Sequence, residues 1–174
     1  YPTAQRTERA KLGNGRRVAV VGAGPAGLGC AHDLALMGFK VTVFEAQRGG
    51  GGMAGLIPDS RLDKAVLKTD LEFAKDLGDI TVRQGKKVEE PAELLKKGFD
   101  AVVVATGLDA PFRLSIKGEE AALDWQEYLR SPGDFRVKGK AVAIIGGGAV
   151  AADCAETAVE RGAERVELFA LEKL

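Results

Sequence analysis

Two stretches of this chain have the residues and spacing to hold a phosphate. The first reads Val18-Ala19-Val20-Val21-Gly22-Ala23-Gly24-Pro25-Ala26-Gly27, and the second Val142-Ala143-Ile144-Ile145-Gly146-Gly147-Gly148-Ala149-Val150-Ala151. Each is an apolar run, then G-x-G-x-x-G/A, then a helical pattern. The chemistry they offer is that of bare backbone. Gly22 permits a tight strand-to-helix turn, Gly24 lets the main chain approach a pyrophosphate, and Gly27 lets the helix close on the strand. The helix opening at Pro25-Ala26 adds unpaired N–H groups and the positive end of its dipole. Pro25 costs nothing there, because its missing N–H has no intrahelical acceptor in a first turn.

Glu45 follows 23 positions after Gly22. A carboxylate at the tip of the second strand accepts hydrogen bonds from both hydroxyls of an adenosine ribose and repels a 2′-phosphate. The first site therefore suits FAD or NAD over NADP. Two such fingerprints in one short chain point to two dinucleotides on one protein, and to electron movement between them.

The second fingerprint is the weaker signal. Gly146, Gly148 and Ala149 keep the pattern, but Ala151 replaces the third glycine, and its methyl holds helix and strand slightly apart. No acid stands where Glu45 stands in the first copy; the stretch reads Ala170-Leu171-Glu172-Lys173. Lys173 is able to pair with a phosphate while Glu172 opposes it. The second dinucleotide is accordingly written NAD(P), with the choice open.

The elements that must position these residues follow from periodicity. Continuous apolar runs predict buried strands over 17–21, 41–44 and 101–105, and a short one over 80–82. A helix is expected from Pro25 to about Met37, stopping at Gly38. Others are expected over Leu62–Leu77, Pro91–Lys97 and Ala121–Leu129, with a turn at Ser131-Pro132-Gly133. A second β-α-β begins at Lys140. Strands alternating with helices specify an α/β class, with a Rossmann-like parallel sheet and the start of a second Rossmann-like domain. The repeat aligns residue by residue: Cys30-Ala31 with Cys154-Ala155, Gly38 with Gly162 and, after one inserted residue, Val41–Phe44 with Val166–Phe169. Domain boundaries follow. Residues 1–15 read as a tail or linker, 16–108 as the first dinucleotide-binding domain, 109–138 as a connecting segment and 139–174 as the first β-α-β of a second, NAD(P)-binding domain.

Bulk composition excludes several classes. The 174 residues carry 25 Lys plus Arg against 25 Asp plus Glu, so no global field recruits nucleic acid or an anionic membrane. No apolar stretch reaches membrane-spanning length and no signal-peptide core is evident, which makes a cytoplasmic setting the expectation. Cys30 and Cys154 are not spaced for a metal or a dithiol. They occupy equivalent repeat positions on the inward helix face and read as small apolar fillers. His32, the one histidine, reads as a solvated neighbour of Asp33 with no catalytic constellation around it. Trp125 and Tyr128 read as packing residues of the connecting helix. Hydride transfer needs no side-chain nucleophile, since the cofactors carry the chemistry.

Val21-Gly-Ala-Gly-Pro-Ala-Gly-Leu28 followed by Val41-Thr-Val-Phe-Glu45 resembles the FAD fingerprint of the flavoprotein disulfide-reductase-like superfamily. Gly50-Gly51, then Ile57-Pro58, then Arg61-Leu62 resembles the G-G…I-P-x-x-R-L segment of the glutamate synthase small subunit-like family. That family includes the flavin domain of dihydropyrimidine dehydrogenase and selenate-reductase-type subunits. Ala101–Gly107 resembles its second flavin-contacting strand and turn. The likeness runs from about Arg16 to Ala170.

It implies that Gly22, Gly24, Pro25, Ala26, Gly27 and Glu45 hold the ADP part of FAD. It also implies that Gly50, Gly51, Met53 and Ile57 lie near the ribityl chain or ring, and Thr106 and Gly107 near the pyrophosphate. Gly146, Gly148, Ala149 and Ala151 would face NADPH, although the family's Arg pair for the 2′-phosphate is absent. The implied function is a flavin module that takes electrons from NAD(P)H through FAD to an iron–sulfur domain or subunit. The alternatives are a non-catalytic FAD-binding or scaffolding subunit and an adrenodoxin-reductase-like enzyme. Measured against that family, the chain is expected to be a fragment, lacking the preceding iron–sulfur domain and most of the nicotinamide domain.

Overall fold

The computed structural model describes residues 13–76, 78–108, 110 and 113–171. The tail before Gly13, Leu77 at the end of one expected helix, and Glu172 and Lys173 of the second site lie outside the described residues. The chain forms two compact units. The first runs up to Gly55 and resumes at Asp63; the second takes Leu56–Leu62 and the chain from Ala110 on.

The first unit is a four-stranded parallel sheet with strands β1 (Arg17–Val21), β2 (Lys40–Phe44), β3 (Ile80–Arg83) and β4 (Ala101–Val104), in the order β3-β2-β1-β4. β1 lies centrally, with Val18 opposite both Val41 of β2 and Ala101 of β4. Burial on both faces explains the unbroken apolar runs. One face packs Val20, Val41 and Val43 against Leu28, Ala31 and Ala35 of helix α1 (Pro25–Leu36). The other packs Ala19, Val21 and Phe44 against Leu94 and Phe99, the two rings meeting edge to face at 5.9 Å.

The helix ends have local causes. α1 stops because Gly38 enters the left-handed region at φ +86°, the usual glycine exit from a helix. Helix α2 spans Lys64–Asp76, two residues shorter at its start than the periodicity predicts. Asp63 sets that start: its carboxylate accepts from the Ala65 N–H at 2.7 Å and its carbonyl accepts from the Leu67 N–H. Helix α3 shrinks to Glu93–Lys96, and β4 closes at Val104, one residue early.

The second unit holds helix α4 (Trp125–Arg130), strand β5 (Ala141–Ile145), helix α5 (Ala149–Glu160) and strand β6 (Arg165–Phe169), with β5 and β6 paired in parallel. Its core joins Tyr128, Cys154 and Ala158, with Trp125, Phe135, Val142 and Ile144 packed around them. The helix expected over Ala121–Leu129 is in fact broken in two. Residues Glu119–Ala121 form a 3-10 turn, and α4 starts afresh at Trp125. The cause is Asp124, whose carboxylate caps the Gln126 and Glu127 N–H groups at 2.8 and 3.4 Å. Apolar periodicity carried across residues 121–129 hides that cap. No helix among the described residues is long and apolar enough to cross a membrane.

Candidate dinucleotide-binding sites

The two fingerprints fold to nearly the same backbone. Gly22 and Gly146 take φ +106° and +132°, a region closed to side-chain-bearing residues. Gly24 and Gly148 are the N-caps of α1 and α5, at φ/ψ −75°/178° and −82°/−179°. The Gly22 N–H donates to the Phe44 carbonyl, and the Gly146 N–H to the Phe169 carbonyl, both at 2.8 Å. Neither N-cap receives a side-chain cap, so the first-turn N–H groups stay available to an anion.

The copies part at the third small residue. A methyl on Gly27 would lie 2.0 Å from the Gly22 carbonyl oxygen, so only glycine fits there. In the second copy a real methyl, Ala151, is accommodated and buried, and a Cβ placed on Gly146 would stand 3.6 Å from it. The closer approach of helix to turn is thus confined to the first copy.

Glu45 sits just past β2, half-buried. One carboxylate oxygen accepts from the Ala23 N–H and the other from the Gln47 N–H, each at 2.8 Å. The carboxylate is thereby aimed by main chain on both sides. A carboxylate has about four acceptor positions, so two remain for ribose hydroxyls. Ala23 enters the site in a way its type does not reveal, because its contribution is a backbone N–H.

The glycine run folds back onto this turn. The Gly51 N–H donates to the Ala23 carbonyl at 2.8 Å, and Gly51 is buried at φ +98° against Leu67 and Leu71. A Cβ on Gly52 would come 3.0 Å from the Gly24 Cα. Gly50 and Gly51 therefore lie beside Ala23 and Gly24, and Gly52 is as tightly placed as either. A 3-10 turn over Gly52–Leu56 follows and leaves Met53 partly exposed. Ile57 falls in the second unit. Thr106 and Gly107 are exposed just after β4. The chain there abuts the turn so closely that a Cβ on Gly22 would lie 2.3 Å from the Ala105 carbonyl oxygen.

Among side chains, Cys154 is buried and Cys30 half-buried, so the inward placement expected for both holds fully only for Cys154. Burial, with Asp153 and Asp124 nearby, pushes the Cys154 thiol up to about 11, which keeps it protonated and unreactive at neutral pH. The His32 ring nitrogen Nδ1 lies 3.0 Å from the Asp33 carboxylate. Trp125 and Tyr128 pack in the second core as expected. Among the described residues no group of His, Cys, Asp and Glu side chains could hold a metal ion.

Comparison with known proteins agrees with this doubled architecture. The family model described as pyridine nucleotide-disulphide oxidoreductase matches residues 16–173. The chain is 40% identical over 172 residues to the NADP(+)-dependent formate dehydrogenase subunit beta of Moorella thermoacetica, covering 93% of this chain and 24% of that protein. It is 36% identical over 177 residues to the glutamate synthase [NADPH] small chain of Bacillus subtilis, covering 91% of this chain and 36% of that one. A 2-naphthoyl-CoA reductase structure superposes with a TM-score of 0.74 at 28% identity, over 90% of this chain and 24% of that chain. The chain thus spans about a quarter to a third of the length of these relatives. The resemblance to glutamate synthase small chains is borne out, and the doubled fold and family match together make this chain a member of the pyridine nucleotide-disulphide oxidoreductase family, whose cofactors are FAD and NAD(P)H.

Proposed function

We propose that this chain is the flavin module of an NAD(P)H-dependent oxidoreductase, with residues 16–108 serving FAD, 109–138 connecting, and 139–174 opening the NAD(P)H site. One observation carries the reading. The Gly22–Gly27 turn presents unpaired helix N–H groups and bare backbone beside a carboxylate, Glu45, whose orientation is fixed by two main-chain donors. That set suits the diphosphate and ribose of an ADP moiety.

In this reading Gly24, Pro25, Ala26 and Gly27 form the phosphate cradle. Gly50, Gly51 and Met53 supply a thin wall on which a flat ring rests. Thr106 and Gly107 close the diphosphate side. Gly146, Gly148, Ala149 and Ala151 make the second cradle. FAD, when bound, supplies the capacity to accept a hydride from NAD(P)H and to release electrons one at a time. The chain's own residues bind, orient and exclude water, and no side chain is required as acid or base.

The electrons leave to an iron–sulfur domain or subunit. The relatives' names support an external partner, since one is a subunit beta and the other a small chain. Both names also carry NADP or NADPH, although this chain's Ala170-Leu171 stretch offers no cation for a 2′-phosphate. The test is anaerobic addition of NADH or NADPH to the full-length protein. Loss of the yellow flavin absorbance with either donor is the expected result, and persistence of the colour with both refutes the proposal.

A further inference from the structure

Glu45 poses a problem for the cradle it belongs to. Its carboxylate suits ribose hydroxyls, but it is a negative charge beside the turn where a negatively charged diphosphate has to arrive. The second copy of the fingerprint has Ala170 at the matching position and meets no such conflict. The surroundings of Glu45 supply an offset. Its N–H donates to the Arg83 carbonyl at 2.9 Å, and its carbonyl accepts from the Lys86 N–H at 2.7 Å. Gln47, whose N–H holds the Glu45 carboxylate, accepts at its carbonyl from the Gly85 N–H at 2.9 Å. The stretch 45–48 and the turn 83–86 beyond β3 therefore lie side by side within the first unit, and they bring Arg48, Arg83 and Lys86 beside Glu45.

All three cations are exposed. Among the described residues, none of them has a carboxylate within ion-pair reach. The Arg83 guanidinium lies 5.7 Å from the centroid of the Phe44 ring, a contact that leaves its charge uncancelled. Lys87 adds little, because Glu89 answers it at 3.0 Å. Glu90 belongs to the next turn, its carbonyl accepting from the Glu93 N–H. The chain as a whole balances 25 Lys plus Arg against 25 Asp plus Glu, so this corner is a local concentration of positive charge.

We propose that Arg48, Arg83 and Lys86 form a basic rim that steers the FAD diphosphate to the first cradle, so that Glu45 grips the ribose without slowing the cofactor's arrival. The proposal rests on the functional reading above and adds to it how the cofactor enters. Rim charges act at a distance. Removing them changes the association rate and its salt dependence, whereas removing a group pressed against the bound partner changes the dissociation rate.

The experiment mixes FAD with apoprotein prepared from the full-length flavoprotein and follows flavin fluorescence in a stopped-flow instrument. Rate constants are taken from the dependence on FAD concentration, which makes them independent of the folded fraction. Wild type is compared with Arg48→Gln/Lys86→Gln, Arg48→Glu/Lys86→Glu and the control Lys97→Gln. Lys97 ends α3 beside Gly98, whose carbonyl accepts from Arg17 at the opposite, N-terminal end of the strands. Salt is set at about 0.01 M and about 0.15 M, where charges reach roughly 30 Å and roughly 8 Å.

At the lower salt the neutralised double variant is expected to associate at least about threefold more slowly than wild type, and the charge-reversed one more slowly still. The differences should shrink at the higher salt. Dissociation rates should stay within about twofold, and Lys97→Gln should match wild type. Wild-type association in both double variants at low salt overturns the proposal. So does a loss that is equal at both salts, one confined to dissociation, or one that Lys97→Gln reproduces. A wild-type protein that takes up no FAD refutes the functional reading itself, whereas one that binds FAD and ignores these charges refutes only the rim.

Discussion

Replacing Gly27 by Ala tests the geometry of the first fingerprint most sharply. The new methyl would lie 2.0 Å from the Gly22 carbonyl oxygen and 3.0 Å from its carbon, whereas ordinary contact begins at 3.4 Å. Relief requires about 1.4 Å of movement (3.4 − 2.0). The obstacle is main chain, tied through the Gly22 N–H to Phe44, so it cannot swing away as a flexible side chain would. Helix α1 must lift instead, loosening Leu28, Ala31 and Ala35 from Val20, Val41 and Val43.

Overpacking of this kind costs about 1–3 kcal/mol, and a rigid backbone neighbour places this case near the upper end. The same shift draws the first-turn N–H groups away from a diphosphate. Losing one hydrogen bond to a charged group costs about 1.5–3 kcal/mol, so the Kd for FAD should rise about ten- to a hundredfold. Ala151→Gly is the matched control. It should cost about 1 kcal/mol in helix propensity and leave FAD uptake unchanged. Denaturant unfolding and flavin-fluorescence titration of the full-length protein read both effects. A Gly27→Ala protein with wild-type stability and a Kd within twofold would refute the close-approach argument.

Glu45→Gln keeps the shape but turns one acceptor oxygen into a donor facing a backbone N–H. A Kd for FAD about tenfold or more higher is expected by titration, and an unchanged Kd would remove Glu45 from the site. Cys154 should resist alkylation in the native protein while half-buried Cys30 reacts first, as timed labelling with peptide mapping would report. Because the folded thiol titrates near 11 and its ordinary value is 9.0, the unfolded chain releases this proton first as pH rises. Native stability from this group is therefore full below pH 9 and declines through pH 11, and Cys154→Ala should make the fall of denaturant midpoints with pH shallower over that range. The Tyr128 hydroxyl is buried without a hydrogen-bond partner among the described residues. Tyr128→Phe should leave stability unchanged or raise it by about 1–2 kcal/mol, and a loss of stability in its unfolding curve would show that the hydroxyl has a partner.

Much of the first unit was legible because local chemistry and global fold agree there. The unbroken runs Val18–Val21 and Val41–Phe44 mean burial on both faces, and Gly38 names the end of α1. Places where a polar side chain acts on the backbone were harder to read. Asp63 and Asp124 each cap a helix inside what looks like a longer apolar pattern, so α2 and α4 start later than periodicity suggests. Of the candidate site, the fingerprint glycines and Glu45 follow from spacing, whereas Gly50, Gly51, Thr106 and Gly107 rest on the family resemblance. Ala23 could not be named, because it contributes a main-chain N–H, and Gly52 needed the tertiary contact with Gly24 to reveal its role. Arg61 and Asp153, an ion pair within the second unit, stand 92 positions apart, a separation that no local pattern encodes.

The flavin content of the purified full-length protein tests the central claim most directly. One FAD per chain, released on denaturation and restored by adding FAD to the refolded apoprotein, is the predicted result. A colourless protein that takes up no FAD from excess would contradict the assignment of the Gly22–Gly27 turn and Glu45 as its cradle.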